Sequence, residues 1–131
     1  MKSRDPLIRA KRFQIDDARR RLAQIDTMIA EFERMAQELD RDIAAEESRS
    51  GITDPRHFAY PPLALAARNR RDNLRRSADD LKVQQDEAKA TLTEAEADLA
   101  LVEAAGEMDR SARVENATRR PPLRPNAPVR F

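Results

Sequence analysis

Asp5 to Gly51 reads DPLIRAKRFQIDDARRRLAQIDTMIAEFERMAQELDRDIAAEESRSG, and this stretch decides the fold. One set of its residues steps by seven as Ile8, Ile15, Leu22, Ile29, Ala36 and Ile43. A companion set three residues on is Lys11, Ala18, Ile25, Phe32, Leu39 and Glu46. An apolar seam kept on this spacing for about five heptads predicts a coiled-coil helix, because an ordinary straight helix drifts off a seven-residue repeat. The ends are marked as well. Asp5 before Pro6 is a good cap followed by proline at the first helical position, and Gly51 stands where a left-handed C-terminal cap is wanted. The helix is therefore expected over residues 5–50.

A second lattice follows, with Leu74, Leu81, Ala88, Ala95 and Val102 on one line and Ala78, Gln85, Leu92, Leu99 and Gly106 on the other. It predicts a second helix over 63–113, whose small residues permit close approach. Its seam is weak upstream, where Ala67 and Arg71 replace larger apolar residues. Between the helices, residues 51–62 (GITDPRHFAYPP) hold Asp54-Pro55 and Pro61-Pro62 as breaks and form a turn long enough for a reversal. Residues 114–131 change character. Pro121, Pro122, Pro125 and Pro128 interleave with Arg119, Arg120, Arg124 and Arg130, which predicts a disordered, basic, Pro-rich C-terminal tail.

Charge order settles how the helices associate. Residues 1–21 carry eight basic and three acidic side chains, and residues 22–50 carry three basic and eight acidic. In the second helix, residues 68–76 hold five Arg against Asp72, whereas residues 79–109 hold two Lys against ten acids. Both helices run from basic to acidic. Folding the chain back sets every block against its opposite, whereas a parallel homodimer sets each block against its own copy. An exposed pair contributes only roughly 0.2–1 kcal/mol, but many pairs of one sign decide topology. The expectation is an all-α fold: a long two-helix antiparallel coiled-coil hairpin over residues 1–113, with the tail at 114–131. An antiparallel dimer satisfies the same charges.

Composition narrows the chemistry. The 131 residues are 37% charged with a net charge of +1, and they include no Cys, one His and two Gly. No thiolate metal site and no glycine-rich phosphate loop can be assembled from this set, so neither cofactor nor metal nor enzymatic activity is expected. The near-zero net charge and scarcity of stacking aromatics argue against nucleic acid as partner. No apolar run approaches the ~20 residues of a membrane span, and MKSRDPLI is followed by Arg9, Lys11 and Arg12 in place of an apolar signal core. A cytoplasmic protein is expected. His57 reads as an ordinary loop residue, and the acidic pairs read as solvated helix faces.

Two patches have interface chemistry. At the hairpin tip Phe58 and Tyr60 lie near Arg56, Arg68, Arg70 and Arg71, and aromatic and Arg side chains at an exposed end are common interface anchors. The two rings equally suit closing the end of the coiled coil. Toward the open end, Arg19, Arg20 and Arg21 either meet a partner or pair with acids of the second helix. Pro122-Leu123-Arg124-Pro125 matches a minimal PxxP pattern, which arises often by chance.

Three stretches, MKSRDPLIRAKRFQIDDARRRLAQIDTMIAEFERMAQELDRDI, GITDPRHFAYP and RRDNLRRSADDL, resemble the FliJ family of the bacterial flagellar type III export apparatus, above all its alphaproteobacterial members. The likeness covers about residues 1–110 and not the tail. It implies an antiparallel coiled coil similar to the stalk subunit of rotary ATPases, without catalytic residues of its own. It also implies docking on the flagellar export ATPase ring, promotion of that ring's assembly and activity, contact with the membrane-embedded export gate, and escort of export chaperones. The implied location is cytoplasmic, at the inner face of the membrane beneath the flagellar basal body. In the family the gate patch lies toward the tip, but it does not map position by position here. The tip residues Arg56, Phe58, Tyr60, Arg68, Arg70 and Arg71 are nominated on chemistry alone. A general cytoplasmic coiled-coil scaffold and a polymerase or nucleic-acid accessory coiled coil are the alternatives.

Overall fold

The computed structural model describes residues 5–119. They form two helices, α1 (Asp5–Ser50) and α2 (Pro62–Arg119), packed against each other as an all-α helical hairpin. α1 has the expected bounds. α2 differs, since it begins at Pro62 rather than 63 and continues past 113 to Arg119. The reason is local: Val114 to Arg119 contains neither proline nor glycine, and only at Arg120, before Pro121, does a proline ring disfavour helical backbone in the residue preceding it. The first residues assigned to the tail thus belong to α2, and the tail from 120 onward lies outside the described residues.

The chain divides into two compact units, Asp16–Thr93 and the pairing of Met1–Ile15 with Glu94–Phe131. In the first unit, α1 buries Ala18, Ile25, Ile29, Ala36 and Ile43, and α2 buries Ala64, Ala78, Leu81 and Ala88. Ile25, Ile29, Leu81 and Ala88 form the central cluster, with Leu22 and Phe32 packed against it. Isoleucine on one helix faces mainly alanine on the other. The buried branched side chains therefore supply most of the apolar stabilisation, roughly 1.5–3 kcal/mol for each one fully buried.

Polar pairs flank this seam on α1 positions seven residues apart. Asp26 accepts from Gln85 at 2.6 Å, Glu33 meets Lys82 at 3.1 Å, Asp40 meets Arg75, and Glu47 meets Arg68 at 3.7 Å. Numbers fall on α2 as they climb on α1, so the packing is antiparallel. Each α1 member directly follows a residue of the second seam line, which is the flank that selects partner and orientation in coiled coils.

In the second unit Ile15 and Ala95 are buried, while Ile8, Leu99 and Val102 are half-buried. Lys11 pairs with Asp98 at 3.6 Å and Arg12 with Glu103 at 3.3 Å. Lys11 holds a seam position and is only 24% exposed, because its methylene stem lies along apolar surface while the ammonium reaches a carboxylate.

The reversal satisfies its own backbone. Gly51 takes φ 74°, where only glycine is at ease, and its N–H donates to the Glu47 carbonyl at 2.8 Å, capping α1. Asp54 Oδ1 then accepts the Arg56 N–H at 2.9 Å, and the Asp54 carbonyl accepts the His57 N–H at 3.0 Å. Pro61 opens α2 by accepting the Leu65 N–H at 3.0 Å, with Pro62 at the first helical position where its missing N–H costs nothing.

Candidate functional site

The tip lies within the unit Asp16–Thr93. Tyr60 is only 6% exposed, and its hydroxyl donates to Glu47 Oε2 at 2.8 Å. The same carboxylate faces the Arg68 guanidinium. Burial first, and then the hydrogen bond to Glu47, raise the Tyr60 pKa above its ordinary value, with Arg68 opposing. Arg71 lies 3.0 Å from Asp40 and 3.1 Å from Asp72, with its side chain 14% exposed. Burial works against its charge, but the hydrogen bonds to Asp40 and Asp72 outweigh burial and raise its pKa. Arg75 shares Asp40.

Of the six residues nominated at the tip, three are thus already committed inside the hairpin: Tyr60, Arg68 and Arg71. The physical reason is register. Tyr60, Ala64, Ala67 and Arg71 continue the α2 seam line up to the turn, so Tyr60 closes the core there and Arg71 enters it. Arg56, Phe58 and Arg70 keep exposed side chains, and Phe58 is 96% open. Phe58 stacks on His57, with ring centroids 4.7 Å apart and planes 22° from parallel. His57 Nδ1 accepts the Ala59 N–H at 3.0 Å, which places the ring proton on the other nitrogen. His57 is therefore a member of the exposed tip that sequence reasoning passed over. The adjacent rings between prolines were the available signal.

Arg19, Arg20 and Arg21 are exposed on α1 in the same unit. Arg20 lies 4.0 Å from Asp17 on its own helix, not against an acid of α2. Arg19 is engaged rather than free. Successive residues point about 100° apart around a helix, so the three do not form one patch. Further along α1, Arg34 bridges Glu31 and Glu38 at 2.6 Å each. Its hydrogen bond holds Glu31 below the usual carboxylate range.

In the unit of Met1–Ile15 and Glu94–Phe131, a cleft of about 620 Å³ is lined by Ile8, Arg12, Glu103, Gly106, Glu107 and Arg110, among others. Gly106 makes the opening, since it holds a seam position and nothing lies within 4 Å of where its Cβ would stand. Arg110 pairs with Glu107 at the rim. Among the described residues no group of three His, Cys, Asp or Glu could hold a metal ion, and no helix is long and apolar enough to cross a membrane. The arrangement suits recognition by surfaces: an aromatic knob with adjoining guanidinium at the tip, and a notched, charged cleft between the ends of α1 and α2.

No family model, curated protein or solved structure matches the chain.

Proposed function

We propose that the chain is a non-catalytic adaptor of the bacterial flagellar type III export apparatus. It docks on the export ATPase ring through the region of Arg19, Arg20 and Arg21 and promotes the ring's assembly and activity. Its tip reaches the cytoplasmic domain of the export gate, and it serves export chaperones in the cytoplasm at the inner face of the membrane beneath the basal body. The observation that carries the reading is the tip. The internal charges are consumed along the hairpin by pairs such as Glu33–Lys82 and Asp40–Arg75, while Phe58 stands fully outward beside exposed Arg56. A self-satisfied hairpin with an aromatic and cationic end has the chemistry of a protein-docking stalk. The resemblance of its opening stretch and turn to the FliJ family supplies the partner.

The test is to add the purified protein to the flagellar export ATPase of the same organism at low and moderate salt, reading ATPase rate and oligomer size. Stimulation with ring assembly is expected, weakened by reversal of Arg19, Arg20 and Arg21 to Glu with helix content unchanged. Absence of binding at any salt would refute the proposal. A Phe58→Ser variant separates the ends: ATPase stimulation should persist while gate binding falls.

A further inference from the structure

Residues 58–67 (FAYPPLALAA) are the longest run without a charge in a chain that is 37% charged, and they occupy the end of the turn and the start of α2, within the unit Asp16–Thr93. Only part of the run is spent on the seam. Tyr60 and Ala64 are buried, whereas Phe58 is 96% exposed, Leu63 71% and Leu65 44%. Successive residues of a helix turn by about 100°, so Leu63 and Leu65, one on each side of buried Ala64, leave α2 in nearly opposite directions. Phe58 stands out from the turn itself. The apolar side chains therefore surround the end of the hairpin instead of lining one face of it.

The charges behind this end leave a cationic surplus once their internal pairs are counted. Within residues 46–72, Glu46 is held by Arg49, Glu47 by Tyr60 and Arg68, and Asp72 by Arg71. Arg56 and Arg70 are exposed and have no carboxylate partner among the described residues. Against these two guanidiniums stands one remaining carboxylate, Asp54, which accepts the Arg56 N–H. Arg70 follows Leu63 by two turns, about 10 Å along the axis, on the same side of α2. We infer that the end of the hairpin is a peripheral docking site for an anionic lipid surface, with Phe58, Leu63 and Leu65 entering the apolar edge of the bilayer and Arg56 and Arg70 meeting its phosphates. The depth fits, since apolar side chains at a membrane interface sink about 5–10 Å. The shape fits too. A pocket on a protein receives one face of a ligand, whereas a fluid apolar layer takes side chains that leave in opposite directions. Each arginine free to reach the headgroups strengthens binding about fivefold. The inference stands apart from the export reading, because it needs only a bilayer.

The experiment mixes the full chain with vesicles of phosphatidylcholine alone or with about 30% phosphatidylglycerol, and reads binding by flotation at about 50 mM and about 300 mM salt. Binding to the anionic vesicles should be about tenfold or more tighter than to the neutral ones, and weaker at the higher salt. Tryptophan is absent from the chain, so Phe58→Trp puts a lone reporter at the tip. Its emission should shift to the blue on anionic vesicles and be quenched by brominated lipid. Leu63→Ser and Arg70→Gln, both at exposed positions, should each weaken binding about fivefold or more with circular dichroism unchanged. Equal binding to the two kinds of vesicle would overturn the inference. So would binding that ignores these two substitutions but is lost when Arg120, Arg124 and Arg130 are changed to Gln, which assigns the lipid to the C-terminal segment. An emission shift with the cytoplasmic domain of the export gate and none with vesicles would overturn it as well, since the tip then fits a protein pocket. Absence of vesicle binding with ATPase stimulation intact sinks this inference and leaves the export reading standing; vesicle binding without stimulation does the reverse.

Discussion

Removing the Asp40 carboxylate should cost far more stability than removing the Arg71 guanidinium it holds. Arg71 sits on a seam line with its side chain 14% exposed, paired to Asp40 at 3.0 Å and Asp72 at 3.1 Å. Asp40→Ala leaves that half-buried cation with only Asp72, and it also strips Arg75 of its partner. Loss of a charged hydrogen bond to a partly buried group costs about 1.5–3 kcal/mol, and an exposed pair such as that to Arg75 adds roughly 0.2–1 kcal/mol. Asp72 retains part of the first figure and Asp40 is itself 37% exposed, so the expected loss is about 2 kcal/mol. Arg71→Leu removes the same ion pair but puts an apolar side chain into an apolar line and leaves Asp40 with Arg75. Because Asp40 keeps Arg75 and is more than a third exposed, the substitution leaves no carboxylate buried and unpaired, so this variant should fall within about 1 kcal/mol of the parent. Urea unfolding followed at 222 nm reads both, with exposed Asp42→Ala as a control expected within about 0.5 kcal/mol. Losses of equal size for Asp40→Ala and Arg71→Leu would refute the reasoning, because Arg71 would then stabilise the seam as a charge.

Tyr60 is the single tyrosine and tryptophan is absent, so ultraviolet absorbance on alkaline titration reads its phenol alone. Burial and Glu47 raise its pKa, so the midpoint should lie above the ordinary value of about 10 and move down in Glu47→Gln. Because folding favours the protonated phenol, its contribution to stability is complete below the unfolded pKa and is lost as pH rises through the folded one; a midpoint at or below that of an unfolded peptide contradicts this. Gly106→Ala should raise the thermal midpoint, gaining about 0.5–1 kcal/mol, since the glycine is helical and nothing lies within 4 Å of the added methyl group; a lower midpoint means the cleft needs the notch. Glu33→Lys should cost roughly 0.5–1 kcal/mol in chemical denaturation, and adding Lys82→Glu should restore most of it; no recovery in the double variant would show that Glu33 and Lys82 are not coupled.

The seam of α1, its start at Asp5, its end before Gly51 and the reversal of direction were all legible in the sequence. They rest on local rules: a seven-residue apolar period, caps and prolines, and blocks of opposite charge. α2 runs past the expected end at 113 because Val114 to Arg119 hold no proline of their own, whereas composition joins them to the prolines and arginines that follow. Side-chain allocation at the tip belonged to the tertiary structure. Arg68 and Arg70 are two residues apart in an Arg-rich run, yet Arg68 faces Glu47 and Arg70 is exposed; Tyr60 and Phe58 are equally aromatic, yet one is buried and the other open. Composition assigns such residues to the same patch. Only the register between α1 and α2, set jointly by seam packing and by charges distant in sequence, decides which of them is spent on the fold and which is left to meet something else.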